Sequence, residues 1–130
     1  LSEPLLLDTH VLIWTLTDNP KLPDSARRAM SKSAKALSVS VVSVWEIVLK
    51  HHTGKLALYA DLDEILDRIL YRSAWSILPM NPEHLSGLVE LPRFHKDPFD
   101  RLLVAQARYE GMAILTADEE IKKYDVRTIW

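Results

Sequence analysis

The chain has 130 residues, 48 % of them apolar and 26 % charged, and contains no cysteine. These proportions exclude intrinsic disorder as the main state, and the absent thiol excludes a disulfide framework, a thiolate zinc site and a cysteine nucleophile. The net charge of −2 excludes a protein that grips duplex DNA by bulk positive charge, although a metal ion or a local basic patch could still hold nucleic acid.

Leu5, Leu6 and Leu7 form an unbroken apolar run between Pro4 and Asp8. A run without alternation reads as a strand covered on both faces. Val11 to Leu16 fits a short helix or an extended segment, and Asn19-Pro20 marks a turn. Asp24 or Ser25 opens a helix that runs through Met30 to Ser33. Ala36 to Val39 is the second strand. Ser40 or Ser43 caps the next helix, where Val41, Val44, Trp45, Val48 and Leu49 recur at helical spacing and Gly54 is the stop. Lys55 to Leu62 is the candidate flexible or projecting excursion. Asp61 or Asp63 starts a further helix with Leu62, Ile65, Leu66, Ile69 and Leu70 on one stripe.

Trp75 to Leu78 is the third strand, closed by Pro79. Asn81 caps a helix from Pro82 through Val89. Arg93 to Phe99 is a loop, and a helix beginning near Asp100 ends at Gly111. Met112 to Leu115 is the fourth strand, Asp118 to Tyr124 a short helix, and Val126 to Ile129 an edge strand. Strands alternating with helices predict an α/β fold over residues 1–130 as one domain: a compact three-layer α/β/α sandwich with a mostly parallel central sheet. No stretch reaches the eighteen or more apolar residues of a membrane span. No basic region precedes a long apolar run, so no secretory leader is expected and the expected location is the cytoplasm.

Four acids carry the chemical signal. Asp8 follows the first strand, at the edge where open α/β sheets gather their ligands. Glu46 interrupts an apolar helix turn, where a charge needs a partner or a ligand. Asp100 opens a helix three residues after Asp97, and either acid can serve as its cap. Asp118 repeats the arrangement of Asp8: strand end, acid, helix. Each has a bland reading as a cap, a turn former or a solvated charge. Taken together they converge on one sheet edge, where three or four carboxylates repel one another without a counter-ion. Hard oxygen donors without a thiolate suit Mg²⁺, with Mn²⁺ able to substitute. Such ions activate water for in-line displacement at phosphorus.

The segments LLLDTHVLIW, SVWEIVLK, HKDPFDRLLVAQA and ILTAD resemble the PIN domain family, and more narrowly the VapC-type toxin ribonucleases of bacterial type II toxin–antitoxin systems. They stand in family order and span residues 5–118. The resemblance implies that Asp8, Glu46, Asp100 and Asp118 are the catalytic and metal-binding acids, and that Thr116 is the hydroxyl residue preceding the last of them. It implies a Mg²⁺- or Mn²⁺-dependent endoribonuclease, an RNA substrate, a cognate antitoxin that blocks the site, and a homodimer. Leu62, Ile65, Ile69 and Leu70 are apolar helix residues, some available to a second subunit.

Supporting roles are expected for Lys50, which shares a helix face with Glu46, and for Arg101, beside Asp100, which could reach phosphate or an acid. Thr9 could lend a hydroxyl near the metal or bond its own helix turn. His10, His51 and His95 read as packing or outer residues, with His10 the best placed. The four tryptophans read as core or interface residues. Lys21, Arg27, Arg28, Lys32 and Lys35 form a basic run that is either a solvated face or an RNA contact. Two competing functions are a non-catalytic PIN-like module that binds RNA or protein, and a Mg²⁺-dependent phosphatase. The aspartyl phosphatase pattern requires an acid two residues after the first, where this chain has His10.

Overall fold

β1 (Leu5–Leu7), β2 (Leu37–Ser40), β3 (Ser76–Leu78), β4 (Ala113–Leu115) and β5 (Thr128–Ile129) form one sheet in the order β3-β2-β1-β4-β5, with every pairing parallel. The computed structural model describes residues 3–58 and 60–130. Parallel neighbours require crossovers, and the helices supply them: α1 (Thr9–Leu16), α2 (Asp24–Lys32), α3 (Val41–His52), α4 (Leu62–Asp67), α5 (Pro82–Glu90) and α6 (Pro98–Glu110). The sandwich is the expected compact α/β/α architecture.

Strand periodicity divides the core. Leu5, Leu7, Leu37, Val39, Ala113 and Leu115 face one layer with residues of α1, α2, α3 and α4. Leu6 and Ile114 face the other, with Leu102, Leu103, Val104 and Ala107 of α6. Both faces of β1 are covered, which is why its sequence is continuously apolar.

Several boundaries differ from expectation for identifiable reasons. The ambiguous segment after Asp8 is helical from Thr9, because Asp8 Oδ1 accepts the His10 N–H and Asp8 O accepts that of Leu12. Ser40, and not Ser43, caps α3 by accepting the Val42 N–H. Asp97 caps α6 through the Phe99 N–H, and Gly111 closes it in the left-handed region at φ 69°, which Gly occupies without Cβ strain. The helix expected over 118–124 shrinks to a 3₁₀ turn, Ile121–Lys123. The Asp118 carboxylate takes the Glu120 N–H at 2.8 Å, holding the start of that segment in a turn.

After α4 the chain continues as a π-type turn, Arg68–Arg72. Ile65 and Ile69 enter the core, whereas Leu70 and Tyr71 face outward. Ile65 and Ile69 are therefore not available to a second subunit. The segment from Lys55 to Leu62 is no projection where it is described: Leu56, Leu58, Ala60 and Leu62 pack on the first core layer. Tyr59 of that segment lies outside the described residues. Trp14, Trp75 and Trp130 pack on the same layer, while Trp45 is exposed and meets Phe99 edge-on. No helix is long and apolar enough to cross a membrane among the described residues.

Candidate metal centre

Because the strands run parallel, their carboxyl ends share one edge, and the helices that follow begin there. Asp8 leaves β1, Thr116 and Asp118 follow β4, Glu46 lies on the helix after β2, and Asp100 lies in the first turn of α6. Thr116 joins two of them: its hydroxyl donates to Asp8 Oδ2 at 2.5 Å and accepts the Asp118 N–H at 3.0 Å. Asp8, Glu46 and Asp100 are 3 %, 1 % and 4 % exposed. Glu46 Oε2 pairs with Lys50 Nζ at 2.6 Å, while its Oε1 is buried and bare.

His95 occupies the centre. Its Nε2 lies 3.1 Å from Asp100 Oδ2 and 2.8 Å from Asp118 Oδ2. Nδ1 accepts the Asp97 N–H at 3.0 Å, and the His95 N–H donates to the Tyr124 hydroxyl. An acceptor Nδ1 leaves the neutral ring's proton on Nε2, aimed at the two carboxylates. Ligand atoms of His95, Asp100 and Asp118 lie within 4.8 Å of one another, a cluster positioned to hold a divalent metal. Ligation by His95 Nε2 would require that proton to leave, whereas each carboxylate has a second oxygen besides the one facing His95. His95 is the residue that sequence reasoning passed over. A usable signal was present: in HKDPFD it stands just before Asp97, in the loop that leads into the helix carrying Asp100.

Burial pushes Asp100 up to about 7, with the charges of Asp8, Asp97 and Glu46 adding to the rise and His95 opposing it. Burial opposes charge on His95, but the hydrogen bond to Asp118 and the charges of Asp100, Asp118 and Asp97 outweigh it and raise its pKa. Burial also works against ionised Asp118, yet the His95 bond and backbone N–H groups hold its pKa below the ordinary value. The bond to Glu46 raises Lys50, against its burial.

These shifts set a stability profile for the metal-free chain. Asp100 keeps a proton in the folded state that the unfolded chain releases near pH 4, so stability falls as pH rises from about 4 towards about 7. His95 adds to the fall: its contribution is complete below about pH 6.5 and is lost as pH rises through its raised pKa. Asp118 acts oppositely, giving stability that is lost as pH drops below about 4. Thermal unfolding in chelator should therefore show a melting temperature highest in weak acid and falling towards pH about 8, with Asp100→Asn flattening the fall. A melting temperature rising towards alkaline pH would contradict these assignments.

The structure places three further residues around the site. The Thr9 hydroxyl donates to Ser43 Oγ at 2.8 Å and joins α1 to α3. Arg101 reaches the carbonyls of Leu88 and Leu91 at 3.5 and 3.4 Å, and forms no ion pair with an acid among the described residues. Consecutive helix residues do not share a face, so its neighbour Asp100 points elsewhere. His10 is exposed, with Nδ1 at 3.8 Å from Asp8 Oδ1. Of the basic run, Arg28 and Lys32 line a cavity with Glu3, which precedes β1 and so marks the sheet edge opposite the acids.

Residues 5–127 match the sequence model of the PIN domain. The chain belongs to the PIN domain family. Ribonuclease VapC22 of Mycobacterium tuberculosis (strain ATCC 25618 / H37Rv) is 26 % identical over 121 residues, 92 % of this chain and 91 % of that protein. Two solved structures share the fold. A chain of the DNA-bound VapBC from Salmonella typhimurium superposes with a TM-score of 0.72 at 17 % identity, covering 97 % of this chain and 96 % of that one. A chain of a toxin–antitoxin complex from Klebsiella pneumoniae gives 0.60 at 16 % identity, covering 88 % and 86 %.

Proposed function

We propose that this PIN-domain chain is a Mg²⁺- or Mn²⁺-dependent endoribonuclease and the toxin of a type II toxin–antitoxin pair. The observation that carries the reading is the buried acid cluster, in which Glu46 Oε1 is bare and burial with neighbouring charges lifts Asp100 to about 7. Such an arrangement destabilises the fold unless a cation enters it. The donors are carboxylate oxygens, which fit Mg²⁺ or Mn²⁺. Asp8, Asp100 and Asp118 would hold the ion, with Glu46 acting mainly through a bound water. There the ion would activate water at neutral pH and offset charge on the phosphoryl oxygens.

The chain's own residues orient this chemistry. Thr116 fixes Asp8 Oδ2, and Lys50 holds one oxygen of Glu46 and leaves the other free. His95 ties Asp100 to Asp118. Asp8 is a poor covalent nucleophile, since both its oxygens accept hydrogen bonds. Attack by water on phosphorus, with the P–O3′ bond breaking and the 3′-oxygen leaving with a proton, gives a 3′-hydroxyl and a 5′-phosphate, with no part for the RNA 2′-hydroxyl.

The ribonuclease name of the mycobacterial relative and the toxin–antitoxin complex among the matched structures support the reading. An antitoxin would neutralise the cluster by placing a basic side chain beside the carboxylates. A homodimer belongs to the same proposal, and the exposed stripe Val41, Trp45 and Leu49 along α3 offers apolar surface for it. Excess chelator should abolish cleavage of single-stranded RNA by the purified, antitoxin-free chain, and added Mg²⁺ or Mn²⁺ should restore it. Undiminished cleavage in chelator, or a 2′,3′-cyclic phosphate on the product, would overturn the mechanism.

A further inference from the structure

An RNA substrate brings phosphates on either side of the one being cut, and these need positive charge near an edge that is itself acidic. The basic run of the early sequence does not supply it: Arg28 and Lys32 lie at the opposite sheet edge, and Arg27 is turned towards Asp18. The acidic edge has a different cationic surface. A cleft of about 450 Å³ between the end of α5 and the start of α6 is lined by Leu88, Val89, Leu91, Arg93, Lys96, Pro98 and Arg101. It contains three cations and no acid.

The loop that leads into α6 forms both this cleft and the metal centre. His95 turns its ring in to Asp100 and Asp118, while Arg93 and Lys96 on either side of it line the cleft. Both cations are exposed, and neither side chain has a hydrogen bond or ion pair among the described residues. Arg101 braces the wall by bonding the carbonyls of Leu88 and Leu91. The remaining lining is apolar, and Val89 is 85 % exposed. Unpaired cations beside an uncovered apolar wall suit a single strand, which offers phosphates and unstacked base faces together; a duplex hides the latter.

We propose that this cleft is the path of single-stranded RNA next to the cut site, with Arg93 and Lys96 contacting backbone phosphates. The inference rests on the ribonuclease reading and extends it to the binding surface.

The test is fluorescence anisotropy of a short fluorescein-labelled single-stranded RNA, titrated with protein across a range of salt. Asp100→Asn serves as the non-cutting background, and wild-type cleavage of the same RNA is measured in parallel. In that background Arg93→Glu/Lys96→Glu should weaken binding by roughly tenfold or more and make the salt slope shallower by about 1.4, the value for two lost single-strand contacts. Arg93→Gln/Lys96→Gln should weaken it in the same direction. Arg28→Glu/Lys35→Glu, away from the cleft, should match the background. Circular dichroism should show every loop and control variant as folded as the Asp100→Asn background, as expected for substitutions of exposed side chains.

Unchanged affinity and slope in both loop variants would overturn the cleft while leaving the ribonuclease reading intact, provided the wild type cuts the RNA. An equal loss in the Arg28→Glu/Lys35→Glu variant would also overturn it, by showing a diffuse charge effect. A wild type that neither binds nor cuts single-stranded RNA would overturn the ribonuclease reading and the cleft with it.

Discussion

Asp100→Asn should lower RNA cleavage by roughly a thousandfold or more, about 4 kcal/mol of transition-state stabilisation, as expected when a site loses electrostatics held by a metal. The Asp100 carboxyl is pushed up to about 7 by burial and by Asp8, Asp97 and Glu46. That perturbation means an ionised Asp100 is costly to the metal-free fold. Asparagine keeps the shape, removes the charge and leaves a neutral amide oxygen, a much weaker ligand to a small hard ion than a carboxylate. The variant should therefore be inactive and, without metal at neutral pH, at least as stable as the wild type. Cleavage rates measured beside thermal melts separate the two effects. An active Asp100→Asn chain would remove Asp100 from the site, and an unfolded one would show that the carboxylate is needed by the fold.

Leu6→Ala should destabilise the chain by about 3 kcal/mol, the usual cost of a large-to-small change in a fully buried aliphatic position. For a chain of this length that corresponds to a fall of about 10 °C in melting temperature. Leu6 is 0 % exposed on the central strand and lies in the layer formed with Leu103, Val104 and Ile114. Its neighbours are strand and helix residues held by their own backbone bonds, so the cavity cannot collapse fully. A change below about 1 kcal/mol by denaturant titration would show that the layer repacks. The same strand positions Asp8 two residues on, so cleavage should fall with the fraction folded.

Much of this organisation was legible because continuous apolar runs leave few options. Leu5 to Leu7, between Pro4 and Asp8, and Ile114-Leu115, between Gly111 and Thr116, are too short for helices and read as strands covered on both faces. Once those strands are parallel, the acids after them must share an edge. Glu46 was legible for the opposite reason, as a charge in an apolar turn, and the structure buries it against Lys50. Other features depend on contacts distant in sequence. His95 takes its orientation from the Asp97 N–H and the Tyr124 hydroxyl, and its partner Asp118 lies 23 residues away. Its place in HKDPFD marks His95 as a neighbour of Asp97, but the bridge to Asp118 exists only in the folded chain. Two alternatives left open by the sequence can be narrowed by geometry. Arg101 is one helix position past Asp100, about 100° around the axis. Arg28 to Lys35 immediately precede β2, which places them at the amino edge of a parallel sheet, away from the carboxylates.

The most direct measurement of the central claim is the position of Mn²⁺ in crystals of the chain, located by its anomalous scattering. The acid cluster predicts a peak bound by carboxylate oxygens of Asp8, Asp100 and Asp118, with Glu46 joined through water. The same soak of Asp100→Asn crystals should weaken or abolish the peak. A strong Mn²⁺ peak remote from all four carboxylates would contradict the account.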